Sequence, residues 1–130
     1  MKKALLLDTS IGTSNVGDHI IMECVEQELA PILANTFVFH LPTHVPAFHS
    51  YAIWKNSFAV QNYTACDYKF IGGSNILAKD MRTHYPQWNV NIFNCKPLSG
   101  SVCVGVGAGA GEHTDAYTTH LYRKILSHSY

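Results

Sequence analysis

Leu5-Leu6-Leu7-Asp8-Thr9-Ser10-Ile11-Gly12-Thr13-Ser14-Asn15-Val16-Gly17-Asp18 is the stretch whose reading decides the fold. Its apolar start reads as a short buried strand, spanning about residues 3–8. Beyond it, Ile20, Ile21, Cys24, Val25, Leu29 and Ile32 recur at helical spacing and predict a helix over 18–33, which Pro31 ends or kinks. Between them lies a turn rich in Gly, Ser and Asn. In open α/β folds such a strand-to-helix turn is where ligands bind. Glycine lets the backbone approach a ligand, and the free N–H groups of a helix start attract polar or anionic groups.

Working outward, the same alternation repeats. Thr36 to Leu41 predicts a second strand, closed by Pro42, and residues 42–50 read as a loop. A weaker helical pattern runs through Tyr51, Trp54 and Phe58. Tyr68 to Ile71 predicts a third strand that ends at Gly72-Gly73, with a short helix starting near Asn75. Trp88, Val90 and Ile92 alternate with Asn89 and Asn91, which predicts a strand over 90–93. Val102 to Val106 predicts another, running into Gly105-Val-Gly107-Ala-Gly109. Asp115 caps a final helix with Tyr117, Leu121 and Ile125 on one face. Alternating strands and helices imply an α/β, Rossmann-like parallel sheet flanked by helices and joined by right-handed crossovers. The carboxyl ends of its strands share one edge. That edge gathers Ser14, Asn15, Asp18, Thr43, His44, Ser74 and Asn75.

Composition bounds the partners. The 130 residues make one domain, 1–130, with nine basic and nine acidic side chains and a formal charge of zero. No basic block points to nucleic acid. Lys2-Lys3 and the following leucines imitate the start of a signal peptide, but Asp8 ends the run short of the ~7–15 apolar residues required. Nothing approaches the ~20 apolar residues of a membrane span. Cys24, Cys66, Cys95 and Cys103 form no CxxC pair, which excludes a zinc ribbon and a thioredoxin-type motif. Cys24 and Cys103 fall on apolar faces and read as buried thiols, which suits a cytoplasmic location.

The motifs divide into those that fail and those that stand. Gly12 and Gly17 have P-loop spacing, but Asp18 and His19 occupy the places of Lys and Ser/Thr, and a carboxylate there repels phosphate. Asp18 also reads as a helix-start residue. Gly105-x-Gly107-x-x-Ala110 resembles a dinucleotide fingerprint, yet no acidic residue follows ~20 positions later. Close backbone packing at a strand end explains it better. Ile71-Gly-Gly-Ser-Asn75 offers Ser74 and Asn75 either to a sugar hydroxyl or to a helix cap. His40, His44 and His49 match no zinc spacing, so neither a metal nor a cofactor is expected; His44, two residues after Pro42, is the best placed for ligand contact.

Taken in order, Leu5 to Asp18, Leu41-Pro-Thr-His44, Phe70-Ile-Gly-Gly-Ser-Asn-Ile-Leu77, Val104-Gly-Val-Gly107 and Leu121-Tyr-Arg-Lys-Ile-Leu-Ser127 resemble the polysaccharide pyruvyl transferase family. The resemblance implies two Rossmann-like halves in a GT-B-like arrangement. It implies transfer of the enolpyruvyl group of phosphoenolpyruvate to a sugar hydroxyl pair, giving a pyruvate ketal. It covers the N-terminal half alone. The residues that grip phosphoenolpyruvate belong, by the same resemblance, to a C-terminal half or partner that follows Tyr130. Asn15, Gly17, Asp18, Gly72, Gly73, Ser74 and Asn75 match the first-half motifs. They are assigned with His44 to acceptor binding, and Asp18 is the candidate base. His19 departs from the family, whose members often carry an acidic or small residue there. Lys79 and Arg82 are the nearest candidates for phosphate. A stand-alone module binding a saccharide or small polar ligand, and half of a nucleotide-sugar glycosyltransferase, are the alternatives.

Overall fold

Lys2–Asp8 form β1, whose residues Ala4 to Leu7 are buried although they point alternately to opposite faces. A strand buried on both faces needs a neighbour on each edge and a layer on each side. The computed structural model, which describes residues 1–83, 88–109 and 113–126, supplies both. The elements are β1, α1 (Val16–Leu33), β2 (Thr36–Pro42), α2 (Ser50–Trp54), α3 (Phe58–Thr64), β3 (Tyr68–Gly72), β4 (Val102–Val104) and α4 (Ala116–Leu126). The four strands pair in parallel in the order β2-β1-β3-β4. This is a Rossmann-like α/β fold with helices against the sheet.

The two faces hold separate cores. Leu6 and Phe70 pack under Met22, Val25 and Leu29 of α1. Leu5, Leu7 and Ile71 face the other way, onto Leu121 and Ile125 of α4, Phe48, Trp88 and Leu98. Ile53 of α2 and Tyr63 of α3 extend that second layer. No helix among the described residues is long and apolar enough to cross a membrane.

Several expectations shift. The buried stripe of α1 is Asp18, Met22, Val25 and Leu29, while Ile20 and Ile32 are exposed. Cys24 is exposed as well, and Cys103 is only half-buried, so the argument from buried thiols fails for Cys24. All four cysteines are free. α1 runs through Pro31 to Leu33, because Pro31 and Gln27, the residue whose carbonyl it leaves free, are both exposed to water.

No helix starts at Asn75. Residues 74–77 lie beside 105–109 instead: Gly107 N–H donates to the Ser74 carbonyl (2.9 Å), and Gly109 N–H to that of Leu77 (2.6 Å). Nor do residues 90–93 form a strand. The Asn91 side chain accepts from Phe93 N–H (2.8 Å), and that of Asn94 accepts from Asn91 N–H (2.8 Å). Asparagine side chains that take local backbone groups favour a turn over a ladder. β4 stops at Val104 because Gly105 turns away at φ 65. Asp115 caps α4 as expected, accepting from Thr118 N–H at 2.6 Å.

Two measurements check this packing. Leu6→Ala is expected to lower unfolding free energy by roughly 2–5 kcal/mol. Ile20→Ala on the exposed face should change it by less than about 0.5 kcal/mol. Denaturant unfolding distinguishes them, and equal losses would contradict the observed face. Separately, the Tyr122 hydroxyl donates to the Ala78 carbonyl (2.6 Å), and burial pushes this phenol up to about 12. The stabilisation it lends is complete below about 10, the usual tyrosine value, and is lost as pH rises through about 12. A spectrophotometric alkaline titration should show a late tyrosine component that is lost in Tyr122→Phe.

Candidate functional site

In the order β2-β1-β3-β4 the chain moves one way from β1 to β2 and the other way to reach β3. The crevice beyond the carboxyl ends of β1 and β3 is therefore the topological switch point, where open parallel sheets take ligands. Asp8 ends β1 there and accepts from both the N–H (2.7 Å) and the hydroxyl (2.6 Å) of Ser10, which turns the chain sharply off the sheet. Asn15 then caps α1, accepting from Gly17 N–H at 3.1 Å.

Because Asn15 does the capping, Asp18 is released from that task. It is 3 % exposed and faces inward from the first turn of α1. Its Oδ2 lies 3.8 Å from His44 Nε2. The same nitrogen is 2.9 Å from the Thr9 carbonyl, so it carries a proton and donates there. His44 thus ties the loop after β2 to the loop after β1. The Asp18 carboxylate is left with an imidazole edge for company inside the sheet edge.

β3 contributes Gly72-Gly73-Ser74-Asn75. A Cβ on Gly72 would meet Met22 Sδ at 2.8 Å and the Leu7 carbonyl at 3.2 Å. Gly73 sits at φ 76, and a Cβ there would meet Thr9 Oγ1 at 2.7 Å and Ile21 at 2.9 Å. These glycines let α1 and the β1 loop close onto the end of β3. Ser74 also takes a left-handed conformation, φ 63, which costs a non-glycine residue roughly 1–2 kcal/mol. Backbone bonds on either side hold it: Gly73 N–H to Val104 (3.0 Å) and Gly107 N–H to Ser74 (2.9 Å). Strain maintained in this way is characteristic of functional loops.

Asn15, Gly17, Asp18, Ile21, Ser74, Asn75, Gly105, Val106 and Gly107 line one cleft of about 470 Å³. The structure therefore brings Asn15, Gly17, Asp18, Ser74 and Asn75 together. Gly72 and Gly73 lie buried behind it, and His44 stands beside Asp18 without lining it. Lys79 and Arg82 are not among the lining residues; the Arg82 guanidinium lies 4.8 Å from the centre of the Tyr117 ring. Gly105 and Gly107 do serve the cleft, and the Asn75 side chain occupies the space a Gly107 Cβ would need. Ala110 lies outside the described residues.

Sequence reading missed Thr9, whose buried hydroxyl, like that of Thr43, has no hydrogen-bond partner among the described residues. Its only signal was its position directly after a buried strand. A roomier cavity of about 760 Å³ lies elsewhere, lined by Ile53, Trp54, Phe93, Lys96 and Lys124 among others. It contains none of the strand-end motifs, and geometry at the switch point outweighs its size. Comparison with protein-family models, curated proteins and solved structures finds no match to this chain.

Gly73→Ala tests the close approach. It combines a left-handed backbone with a steric overlap, and is expected to cost roughly 2–5 kcal/mol. Gly12→Ala, at φ 80 with no atom within 4 Å of the new Cβ, should cost only the backbone share, about 1–2 kcal/mol. Equal losses in thermal or denaturant unfolding would remove the packing role of Gly73.

Proposed function

We propose that the cleft binds a saccharide acceptor, and that the chain is the acceptor-side half of a polysaccharide pyruvyl transferase-like enzyme. The observation that carries this reading is the convergence of Asn15-Val-Gly-Asp18 and Gly72-Gly-Ser-Asn75, far apart in sequence, at the switch point. Side-chain amides and hydroxyls beside a carboxylate suit the hydroxyls of a sugar, which both donate and accept. Among the described residues the lining includes no Lys or Arg, so a neutral polyol fits it better than a phosphate. That disfavours the nucleotide-sugar alternative for this half. Exposed Ile11, Val16 and Ile20, close to the cleft in sequence, offer apolar surface for a second half to cover.

In such a reaction two acceptor oxygens bond to C2 of phosphoenolpyruvate and the C2–O bond to phosphate breaks. C3 takes one of the two hydroxyl protons, and the other leaves with inorganic phosphate. Asp18 is the candidate base for an acceptor hydroxyl, with His44 holding its loop and supplying a donor edge. The phosphate-gripping cations come from outside this cleft.

An amide NMR titration with saccharides carrying a free 1,3- or 1,2-diol tests the binding. Shifts are expected at Asn15, Gly17, Ser74, Asn75 and Gly107. In a preparation that turns over phosphoenolpyruvate, Asp18→Asn should slow ketal formation by about 10²-fold or more. Shifts with a nucleoside diphosphate and none with saccharides would sink the proposal.

A further inference from the structure

On the α1 face of the sheet, away from the cleft lining, a second group of side chains converges. Asp8 comes from the end of β1, His40 from β2 and Glu26 from the middle of α1. One donor atom from each lies within 4.8 Å of the other two. His40 Nδ1 is 3.6 Å from Asp8 Oδ2 and 3.8 Å from Glu26 Oε1.

These separations carry the argument. A charged N–H···O bond closes to about 2.7–2.9 Å. His40 Nδ1 makes no such bond with either carboxylate. Three ligands around a tetrahedral ion, with bonds of about 2.0–2.2 Å, stand roughly 3.3–3.6 Å from one another. The two distances from His40 are close to that edge length, and all three donor atoms lie within 4.8 Å of one another. Asp8 is the most buried of the three. Its side chain is 9 % exposed, and Oδ1 is anchored by both donors of Ser10. Oδ2, by contrast, faces His40 Nδ1 at 3.6 Å. Carboxylate anchoring of this kind is how proteins orient a metal ligand. His40 and Glu26 also border a cavity of about 400 Å³, which gives the cluster access to water or a ligand.

We propose that Asp8, Glu26 and His40 form a site for a divalent transition cation of the Zn²⁺ type, with one position open. One imidazole and two carboxylates suit Zn²⁺, Co²⁺ or Mn²⁺ more than Mg²⁺ or Ca²⁺, which prefer oxygen alone. The ligands lie 18 and 14 residues apart in sequence, so no short motif announces them. The site is independent of the acceptor reading of the cleft.

Calorimetric titration of the metal-stripped chain with Zn²⁺ alone tests this. One equivalent is expected to bind, with Mg²⁺ far weaker. Glu26→Gln and His40→Ala alter half-exposed side chains and so leave the fold intact, as circular dichroism can verify. Each should weaken Zn²⁺ at least about tenfold, since even removal of an outer-shell partner costs about 10–100-fold. His120→Ala, on exposed surface, should leave affinity unchanged. Co²⁺ substitution should give an imidazole and carboxylate spectrum. A thiolate charge-transfer band, Zn²⁺ affinity unchanged in both variants, or no binding at all would each overturn the proposal.

Discussion

Burial of the central strand on both faces is the constraint on which the structure depends. Leu5, Leu6 and Leu7 are at most 2 % exposed. Their backbone groups are therefore out of reach of water and must bond to neighbouring strands. β2 and β3 meet that need from either edge, in parallel register. Parallel pairing forces each return crossing over a face of the sheet; α1 makes the first and closes one core, and α4, which follows β4, closes the other with Phe48, Trp88 and Leu98. The layered architecture thus follows from one apolar run with no polar face to offer the solvent.

Parallel pairing also determines where chemistry can gather. With every strand running the same way, every strand ends at the same edge. The chain diverges between β1 and β3, so no crossing connection covers that gap. Into it the sequence delivers short polar residues on tight turns. The backbone approaches there are close because Met22, Ile21 and Thr9 occupy the space that side chains at Gly72 and Gly73 would need. A stiff sheet edge then holds Asp18, Ser74 and Asn75 in one cleft.

Asn15 and Asp18 illustrate a division of labour within one helix start. Both can accept from free N–H groups, and either could cap. Asn15 takes the cap, which lets the carboxylate of Asp18 turn inward toward His44. A buried carboxylate is a costly arrangement for stability alone, because it is desolvated. Its persistence at the switch point is what singles the pair out.

The periodicities of the chain alone identified the parallel α/β class, β1 to β3, α1 and α4, and the strand-end turns that carry the candidate residues. These features are local: alternation, caps and glycine pairs act over a few residues. Where the sequence misled, competing bonds had won, nonlocal ones after Asn75 and local ones at 90–93. The segment after Asn75 pairs with 105–109 instead of coiling, and the Asn91 and Asn94 side chains capture backbone groups that a strand at 90–93 would have used. The inward stripe of α1 keeps the expected Val25 and Leu29 but takes Asp18 and Met22 in place of Ile20, Cys24 and Ile32, as its contact with Leu6 and Phe70 dictates. Only the tertiary structure decided that Asp18 faces His44, that Thr9 backs Gly73, and that Asp8, Glu26 and His40 converge. Each of these depends on strand register and on the rotation of a helix over a sheet, quantities set by the packing of the whole core.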